Sequence, residues 1–314
     1  MDIKLMEETF SEISKKLGWA VDKRIALSVT NFYLTQTTGF QAEEHEKASK
    51  TIKKSEGWFS PLQAHMHHIA AAFLAISQED PETGLKALNA RQQQLNDGGF
   101  SKSAYTYLAA LLMQEGDDVK RAKLLYEEMR SHHKFLTSQE DVPYAILLSR
   151  QEGAIAERAA TMNAYYKDLR EQGFTMGNDL QWLSQVMTFN SPVYDPKVVG
   201  RVLALKEFFK NEEIKIRASH YPVIGFLAVS EAEGPALMEI VENTKLLKET
   251  KLYRWFPDMV FPTVVQYAMK DAEDVRGLSN AAFSTSLEML MQAQQAAMMV
   301  SVNAAISASN NSSN

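Results

Sequence analysis

Residues 104–129 read AYTYLAALLMQEGDDVKRAKLLYEEM and contain two apolar stripes on either side of an acidic turn. From Ala104, apolar residues recur at positions i, i+3, i+4, i+7 and i+8, and from Ala122 to Met129 they follow the same helical spacing. This period places each set on one face of an α-helix. The stretch therefore predicts a helical hairpin, in which an apolar helix A and an amphipathic helix B are joined by the turn at 115–118.

The same pattern recurs along the chain at a nearly constant interval. Landmark residues of successive turns lie 36 to 41 residues apart: Asp80, Asp117, Gly153, Val193, Gly234 and Glu273. An aromatic residue opens most of the A helices: Phe59, Phe100, Phe135, Phe174 and Phe256. We expect Phe100, Phe135 and Phe174 to lie in the core between repeats. Because a single hairpin cannot bury its own apolar face, this period predicts stacked hairpins.

The predicted fold class is all-α, a right-handed stack of helical hairpins of the α-solenoid type. Residues 1–56 are expected to form an N-terminal helical cap. Residues 57–306 are expected to form the hairpin repeats and a capping C-terminal helix at 282–306, and the polar residues 307–314 a disordered tail. Linkers rich in Gly, Ser or Pro do not interrupt the repeats, so the sequence predicts one continuous structural domain.

Composition excludes several classes of function. The 314 residues carry 33 Lys and Arg against 39 Asp and Glu, and a net charge of -6 argues against a nucleic-acid partner. There is no cysteine, which excludes disulfides, thiolate metal sites and cysteine nucleophiles. Part of the acidic excess falls in the turns between A and B helices, and we expect it to form an acidic band along one edge.

Targeting signals are not recognisable in the sequence. The first residues lack a basic region followed by an apolar core. The longest wholly apolar run, 69–76, is far shorter than the ~20 residues that a membrane-spanning helix needs. We therefore expect no membrane span and a cytoplasmic location.

Three segments carry a resemblance to known proteins: FLTSQEDVPYA at 135–145, GFTMGNDLQWLS at 173–184 and MQAQQAAM at 291–298. In these motifs the chain resembles an uncharacterised family of helical proteins of about this length from Gram-positive bacteria. The likeness covers nearly the whole chain. It implies a bacterial cytoplasmic protein, and it brings neither an activity nor a functional residue with it.

Polar residues and aromatic neighbours recur at the starts of the A helices. Asp and Asn at such positions commonly cap free backbone N–H groups. Stacking, however, aligns equivalent positions into a rim, which could bind a protein, a peptide or a small ligand. The candidate binding residues are Asp141, Tyr144, Asn178, Asp179, Trp182, His220, Tyr221 and Asp258. Prolines predicted in or just before the first turn of A helices are Pro143, Pro222, Pro257 and Pro262.

A histidine cluster supports a different hypothesis, a metal-dependent enzyme. His65 and His68 are three residues apart on a predicted helix, and His45 or a carboxylate such as Glu44 could complete a metal site. Packing of these imidazoles within the fold is the simpler interpretation, since the spacing matches no known metal motif. We find no phosphate-binding loop and no set of nucleophile, base and orienting residue, so a scaffold that is not an enzyme and needs no cofactor is the favoured prediction.

Overall fold

A computed structural model of the protein describes residues 1–36, 38–57, 60–64, 66–77 and 79–270, and over these ranges the chain is helical without strands. The predicted all-α class is therefore confirmed for the described residues. The predicted C-terminal helix, the tail at 307–314 and the opening residue Phe59 lie outside them.

The described residues divide into two compact units, and the N-terminal unit covers Asp2–Glu115. Its helices are α1 (Ile3–Leu17), α2 (Lys23–Leu34), α3 (Ala42–Ser55), α4 (Pro61–Ala64), α5 (His67–Ile76), α6 (Pro81–Asp97) and α7 (Ala104–Leu112). Helix α1 packs on α2, α3 packs on both α5 and α6, and α6 packs on α7. The contact between α6 and α7 places an amphipathic helix against an apolar one, as the hairpin pattern predicts.

The second unit begins at Gly116 and is described to residue 270. Its helices are α8 (Val119–His132), α9 (Val142–Ser149), α10 (Ile155–Glu171), α11 (Asn178–Met187), α12 (Pro196–Asn211), α13 (Tyr221–Val229), α14 (Pro235–Glu249) and α15 (Pro257–Lys270). Short 3₁₀ turns at Gln139–Asp141, Ala218–His220 and Tyr253–Trp255 lead into α9, α13 and α15.

Short buried helices alternate with longer amphipathic ones in this unit. Every residue of α9 and of α13 is buried, and so are all but the first two of α11. By contrast, α8, α10, α12 and α14 bury one stripe each. The alternation is compatible with the predicted stack of A and B helices. The right-handed solenoid form of this stack stays a prediction, and so do the boundaries of the repeat region at residues 56 and 306.

Three of the B helices have an aspartate as their N-cap residue. Asp80, Asp118 and Asp195 each accept a hydrogen bond from a backbone N–H in the first turn of α6, α8 and α12, respectively. These bonds satisfy donors that have no acceptor inside the helix. Asp80 and Asp118 lie in predicted turns, whereas Asp195 follows the predicted turn at 191–193; all three aspartates have a structural role.

Side chains from one repeat cap the A helix of the next. Arg121, near the start of α8, donates hydrogen bonds to the carbonyls of Ser149, Gln151 and Gly153, where α9 ends. The last carbonyls of a helix have no partner within it, so the arginine supplies the missing donors. We call the ends of the A helices, residues 149–154, 188–195 and 229–234, the turn edge.

Two further residues repeat this arrangement along the turn edge. The guanidinium of Arg158, in α10, donates to the carbonyl of Thr188 at the end of α11, and to the Glu152 carbonyl at 2.7 Å. The amide of Asn190 donates to the carbonyl of Val229 at 2.9 Å, where α13 ends. Donors that belong to one repeat thus bind the helix end of its neighbour.

The predicted acidic band is partly neutralised at the turn edge. Both carboxylate oxygens of Asp117 accept hydrogen bonds of 2.6 Å from Arg150. Glu231 forms an ion pair of 2.7 Å with Arg201. At these two positions the acidic side chains bind arginines of the same unit, which lowers their local charge.

Candidate functional site

Hydrogen bonds join the starts of successive A helices in the second unit. The Asn178 amide donates to Glu140 at 3.0 Å, and the backbone N–H of Thr175 donates to the Tyr221 hydroxyl at 3.1 Å. Arg217 forms an ion pair with Asp258 in the next repeat. These partners are 38 to 46 residues apart, about one repeat. In this unit the starts of successive A helices are therefore in contact, and we call segments 134–141, 173–179, 215–220 and 251–258 the N-terminal edge.

Asp141 is the centre of a buried polar cluster behind this edge. Its side chain is 2% exposed. One carboxylate oxygen accepts the backbone N–H of Ser138 at 2.8 Å, and the other accepts the amide groups of Gln181 at 3.1 Å and Gln185 at 2.7 Å. The indole of Trp182 donates another hydrogen bond. The carboxylate thus holds α11 against the start of α9.

Burial raises the pKa of Asp141 to about 7, although the hydrogen bonds from Ser138, Gln185 and Trp182 act in the opposite direction. Desolvation disfavours the charged form of a carboxyl group, and donors favour it. Glu140 adds to the increase through like-charge repulsion. The net result is a carboxyl group that changes its charge near neutral pH.

Tyr144 and Trp182 are stacked beside Asp141, with ring centroids 6.1 Å apart and planes at 14°. The Tyr144 hydroxyl is buried and has no hydrogen-bond partner among the described residues. Burial, together with the charges of Asp141 and Asp179, raises the pKa of Tyr144 above its usual range. The predicted residues Asp141, Tyr144, Asp179 and Trp182 thus form one cluster.

His220 occupies the place before α13 that Asp141 occupies before α9. Its Nδ1 accepts the backbone N–H of Arg217 at 3.4 Å, and its Nε2 is 3.2 Å from the carbonyl oxygen of Asp258. This pattern assigns the proton to Nε2, which donates to that carbonyl. Burial lowers the pKa of His220 to about 4, in agreement with a neutral ring.

Proline explains why this carbonyl needs a donor. Pro262 lies inside α15, at its sixth residue, so the prediction that it belongs to the first turn is wrong. A proline has no N–H, and it cannot bond to the carbonyl four residues before it, which is that of Asp258. The imidazole of His220 supplies the missing donor, and the proline is therefore tolerated within the helix.

We expect His220→Leu to lower the free energy of unfolding by about 1–3 kcal/mol, because the Asp258 carbonyl would lose its donor. In a Pro262→Ala background the loss should be clearly smaller, since the alanine N–H can bond to that carbonyl. Urea denaturation of the two single variants and the double variant measures the coupling. Purely additive free energies would contradict the assignment.

The predicted binding residues differ in their accessibility. Five are buried: Asp141, Tyr144, Trp182, His220 and Tyr221. Asn178 and Asp258 are exposed, and Asp179 is half-buried. A partner that approaches the N-terminal edge would meet only the last three directly.

Exposed apolar side chains also lie on the N-terminal edge. Phe135 is 96% exposed, Trp255 is 81% exposed and Met176 is 63% exposed. The expectation that Phe135 lies in the core is therefore wrong, whereas Phe100 and Phe174 are buried as expected. Phe135 lies inside a turn that begins at His133, where its side chain is exposed, and Thr137 after it is buried.

A small cleft with room for about one water-sized group lies between α8, α10 and α11. Gln181 and Gln185 line it together with apolar side chains that include Met129 and Met162. Sequence reasoning missed both glutamines. Both lie on α11 one helical turn apart, and this was an available indication, because polar side chains on a buried face need hydrogen-bond partners.

The predicted histidine cluster lies in the N-terminal unit, between α3 and α5. His45 Nδ1 is 2.8 Å from the Tyr33 hydroxyl, and His67 Nε2 is 2.7 Å from the Ser49 hydroxyl. The rings of His45 and His68 are parallel within 7°, with centroids 6.2 Å apart. His65 lies outside the described residues.

Burial is the main cause of lowered pKa values in this cluster: about 4 for His45 and His67, and about 3 for His68. Nearby positive charges, including that of Lys53, act in the same direction on His67 and His68. Within the described ranges, no three His, Asp or Glu side chains are placed to hold a metal ion.

The protein is thus all-helical in its described part, and in its second unit hydrogen bonds join the starts of successive A helices along the N-terminal edge. Residues 9–296 match the model of the family described as "Protein of unknown function (DUF4003)", and the chain belongs to this family. It is 24% identical over 310 residues to the uncharacterized protein YeaA of Bacillus subtilis (strain 168), with 96% of this chain and 93% of the relative covered. No solved structure matches the chain. None of the described helices is long and apolar enough to cross a membrane.

Proposed function

We propose that this protein is a helical-repeat scaffold that binds a protein segment or a small ligand along the N-terminal edge. The observation that carries the proposal is the exposure of Phe135, Met176 and Trp255 there. Single exposed apolar residues are ordinary on protein surfaces. These three, however, lie in the segments that lead into α9, α11 and α15, and hydrogen bonds join those segments in series.

Polar groups around the apolar side chains favour a protein segment as the partner. Asn178, Arg217 and Asp258 are exposed on the same edge. Protein interfaces commonly combine aromatic and methionine anchors with a polar rim. The edge offers both components over several repeats, which suits an extended partner.

The distribution of the polar residues supports binding over catalysis. The charges of Asp141 and Asp179 both raise the pKa of Tyr144, whereas the His220 ring lies next to the carbonyl of Asp258. Asp141, Asp179, His220 and Asp258 thus belong to two clusters along the edge. A catalytic centre would need its nucleophile, base and orienting group within reach of one reacting atom.

A triple variant, Phe135→Ser, Met176→Ser and Trp255→Ser, tests the proposal. Because the three side chains are exposed, the fold should be retained, with changes of about 0.5 kcal/mol each. Proteins captured from a Bacillus subtilis lysate by the unaltered chain would be purified and titrated calorimetrically. We expect the triple variant to bind such a partner about tenfold more weakly or worse, since anchors of this kind dominate interface energies.

A matched control is the triple variant Leu124→Ser, Val193→Ser and Leu246→Ser. These apolar residues are also exposed in the second unit, but they lie outside the N-terminal edge. The control should bind the partner as the unaltered chain does. Equal affinities for all three proteins, or equal losses in both variants, would reject the N-terminal edge as the binding surface.

A metal-dependent enzyme that uses His65, His68 and His45 or a carboxylate is the second candidate. The observation in its favour is that His45 Nε2 and His68 Nδ1 are buried without a hydrogen-bond partner in the described part of the chain. Neutral imidazole nitrogens are good ligands for zinc. Elemental analysis of the purified protein tests this function, and a metal content well below one per chain would reject it.

A further inference from the structure

The turn that joins α1 to α2 in the N-terminal unit carries a fully exposed tryptophan. Gly18 ends α1 with a φ of 89°, and its N–H donates to the Ser14 carbonyl at 3.2 Å. The N–H of Val21 donates to the Gly18 carbonyl at 3.2 Å, so Trp19 and Ala20 form the corner of a turn. The Trp19 side chain is 99% exposed. The described chain thus presents this ring to the outside without using it in its own packing.

Apolar surface continues on both sides of this corner. Ala20 is exposed, and Leu17 and Val21 are only half-buried. A single exposed apolar residue is ordinary on a protein surface. Here, however, residues 17–21 read LGWAV and contain no polar side chain, and the indole alone offers up to about 250 Å² of surface to a partner.

Basic residues flank the apolar corner, and we call residues 15–24 the tryptophan turn. Its charged residues are four basic ones and one acidic one: Lys15, Lys16, Lys23, Arg24 and Asp22. The Arg24 guanidinium donates two hydrogen bonds of 3.0 Å to the Asp22 carboxylate, so these two charges neutralise each other. The three lysines are exposed. The tryptophan turn is therefore positive, in a chain whose net charge is -6.

Helix ends explain only part of this charge pattern. Lys15 and Lys16 lie in the last turn of α1, where the negative end of the helix dipole stabilises a cation. Lys23 is the first residue of α2, where the same dipole disfavours a cation. Neither the charge of Lys23 nor the exposed ring of Trp19 stabilises the described fold, whereas a binding partner accounts for both.

The type of basic residue selects the class of partner. Protein interfaces are enriched in Arg and depleted of Lys. In the tryptophan turn the arginine is bound to Asp22, and Lys16 lies 3.8 Å from Glu46. Lys15 and Lys23 form no ion pair with the described residues. Anionic membrane surfaces attract lysine by charge alone, and tryptophan is enriched at headgroup depth because its ring is apolar and its N–H polar.

We infer that the tryptophan turn docks the N-terminal unit reversibly on the surface of an anionic lipid membrane. Trp19 enters the headgroup region, and Lys15, Lys16 and Lys23 lie near the lipid phosphates. A projecting corner can enter this soft surface, and the contact needs no helix that crosses the bilayer. The inference goes beyond the proposed function, because the tryptophan turn shares no residue with the N-terminal edge. Either can therefore fail without the other.

Cosedimentation of the full chain with lipid vesicles tests this inference. One kind of vesicle contains phosphatidylglycerol and phosphatidylcholine in equal amounts, and the other contains phosphatidylcholine alone. Each lysine near an anionic surface strengthens binding about fivefold, so the neutral vesicles should bind about tenfold more weakly or worse. Added salt should release the chain from the anionic vesicles, because it screens the charges.

Two variants test the apolar and the basic part of the surface separately. Trp19→Ser should bind the anionic vesicles about tenfold more weakly, and Lys15→Gln with Lys23→Gln should lose about fivefold for each lysine. Because these side chains are exposed, both proteins should fold. Brominated lipid quenches the fluorescence of tryptophans that it touches. It should quench the unaltered chain, and Trp19→Phe should lose this quenching while it still binds.

Matched controls change the same residue types elsewhere. Trp255→Ser removes an exposed tryptophan of the second unit, and Lys54→Gln with Lys86→Gln removes two exposed lysines of the N-terminal unit outside the tryptophan turn. Both should bind as the unaltered chain does. No binding to anionic vesicles, equal binding to both kinds of vesicle, or equal losses in variants and controls would overturn the inference. A short polyglutamate peptide that bound as tightly as the vesicles, with the same dependence on Trp19, would overturn it in favour of an acidic protein partner.

Discussion

Acidification from pH 7.5 to pH 5 should strongly destabilise the N-terminal unit, because His45, His67 and His68 are buried in neutral form. Their folded pKa values of about 3 to 4 lie below the ordinary value of 6.5. Between pH 6.5 and 4 the unfolded chain therefore binds more protons than the folded one. The stability is fully present above about pH 6.5 and is lost as the pH falls.

The expected loss at pH 5 is about 2 kcal/mol for each histidine, since the pH then lies about 1.5 units below the unfolded pKa. The three together approach the whole stability of a typical domain. Amide hydrogen exchange of α3 and α5, corrected for intrinsic rates, measures this change within the unit. Equal protection at both pH values would contradict the prediction.

His67→Leu provides the specific test of this mechanism. The Ser49 hydroxyl loses its partner, but it is only half-buried and can turn to water. The variant should lose about 2 kcal/mol less than the unaltered chain between pH 7.5 and pH 5. His132→Leu removes an exposed histidine outside this unit and should leave the pH dependence of α3 and α5 unchanged.

Arg158→Ala is expected to cost about 3–5 kcal/mol of unfolding free energy, because it leaves the Thr188 and Glu152 carbonyls without a donor and opens a cavity. Arg158 is only 1% exposed, and it is the largest of the fully buried side chains described. Burial lowers its pKa to about 10, which still leaves it charged at neutral pH. Urea denaturation at pH 7.5 measures the change.

Arg201→Ala is the matched control for Arg158→Ala. Arg201 also lies on a B helix and contacts the turn edge, but its ion pair with Glu231 is solvent-exposed. Exposed ion pairs contribute at most about 1 kcal/mol. A loss below 1 kcal/mol for Arg158→Ala, or equal losses for both variants, would show that the buried arginine does not hold the end of α11.

Helix positions could be predicted from sequence because each B helix has one apolar face and an acidic or proline start. Asp80 and Asp118, for example, lie in predicted turns and begin α6 and α8. The all-buried helices α9 and α13 carry almost no amphipathic pattern. Their position followed from the repeat period of the turns and of the aromatic residues that precede A helices.

The candidate site could be predicted only in part, because tertiary partners decide the role of each polar residue. Asp141 is identifiable as a residue before an A helix, but its burial depends on Gln185, which is 44 residues away. His220 likewise depends on a carbonyl that Pro262 leaves free. The exposure of Phe135 follows from a local turn, and periodicity alone carries no information on it.

The side chains that cap the A helices at the turn edge are synthesised before the helix ends that they bind. Arg121, Arg158 and Asn190 each precede, by about 30 to 40 residues, the helix end that they bind. A ribosome therefore releases each donor before the A helix that needs it. Each new helix can be completed on the part of the unit that has already emerged, and repeats can be added in order from the N-terminal side.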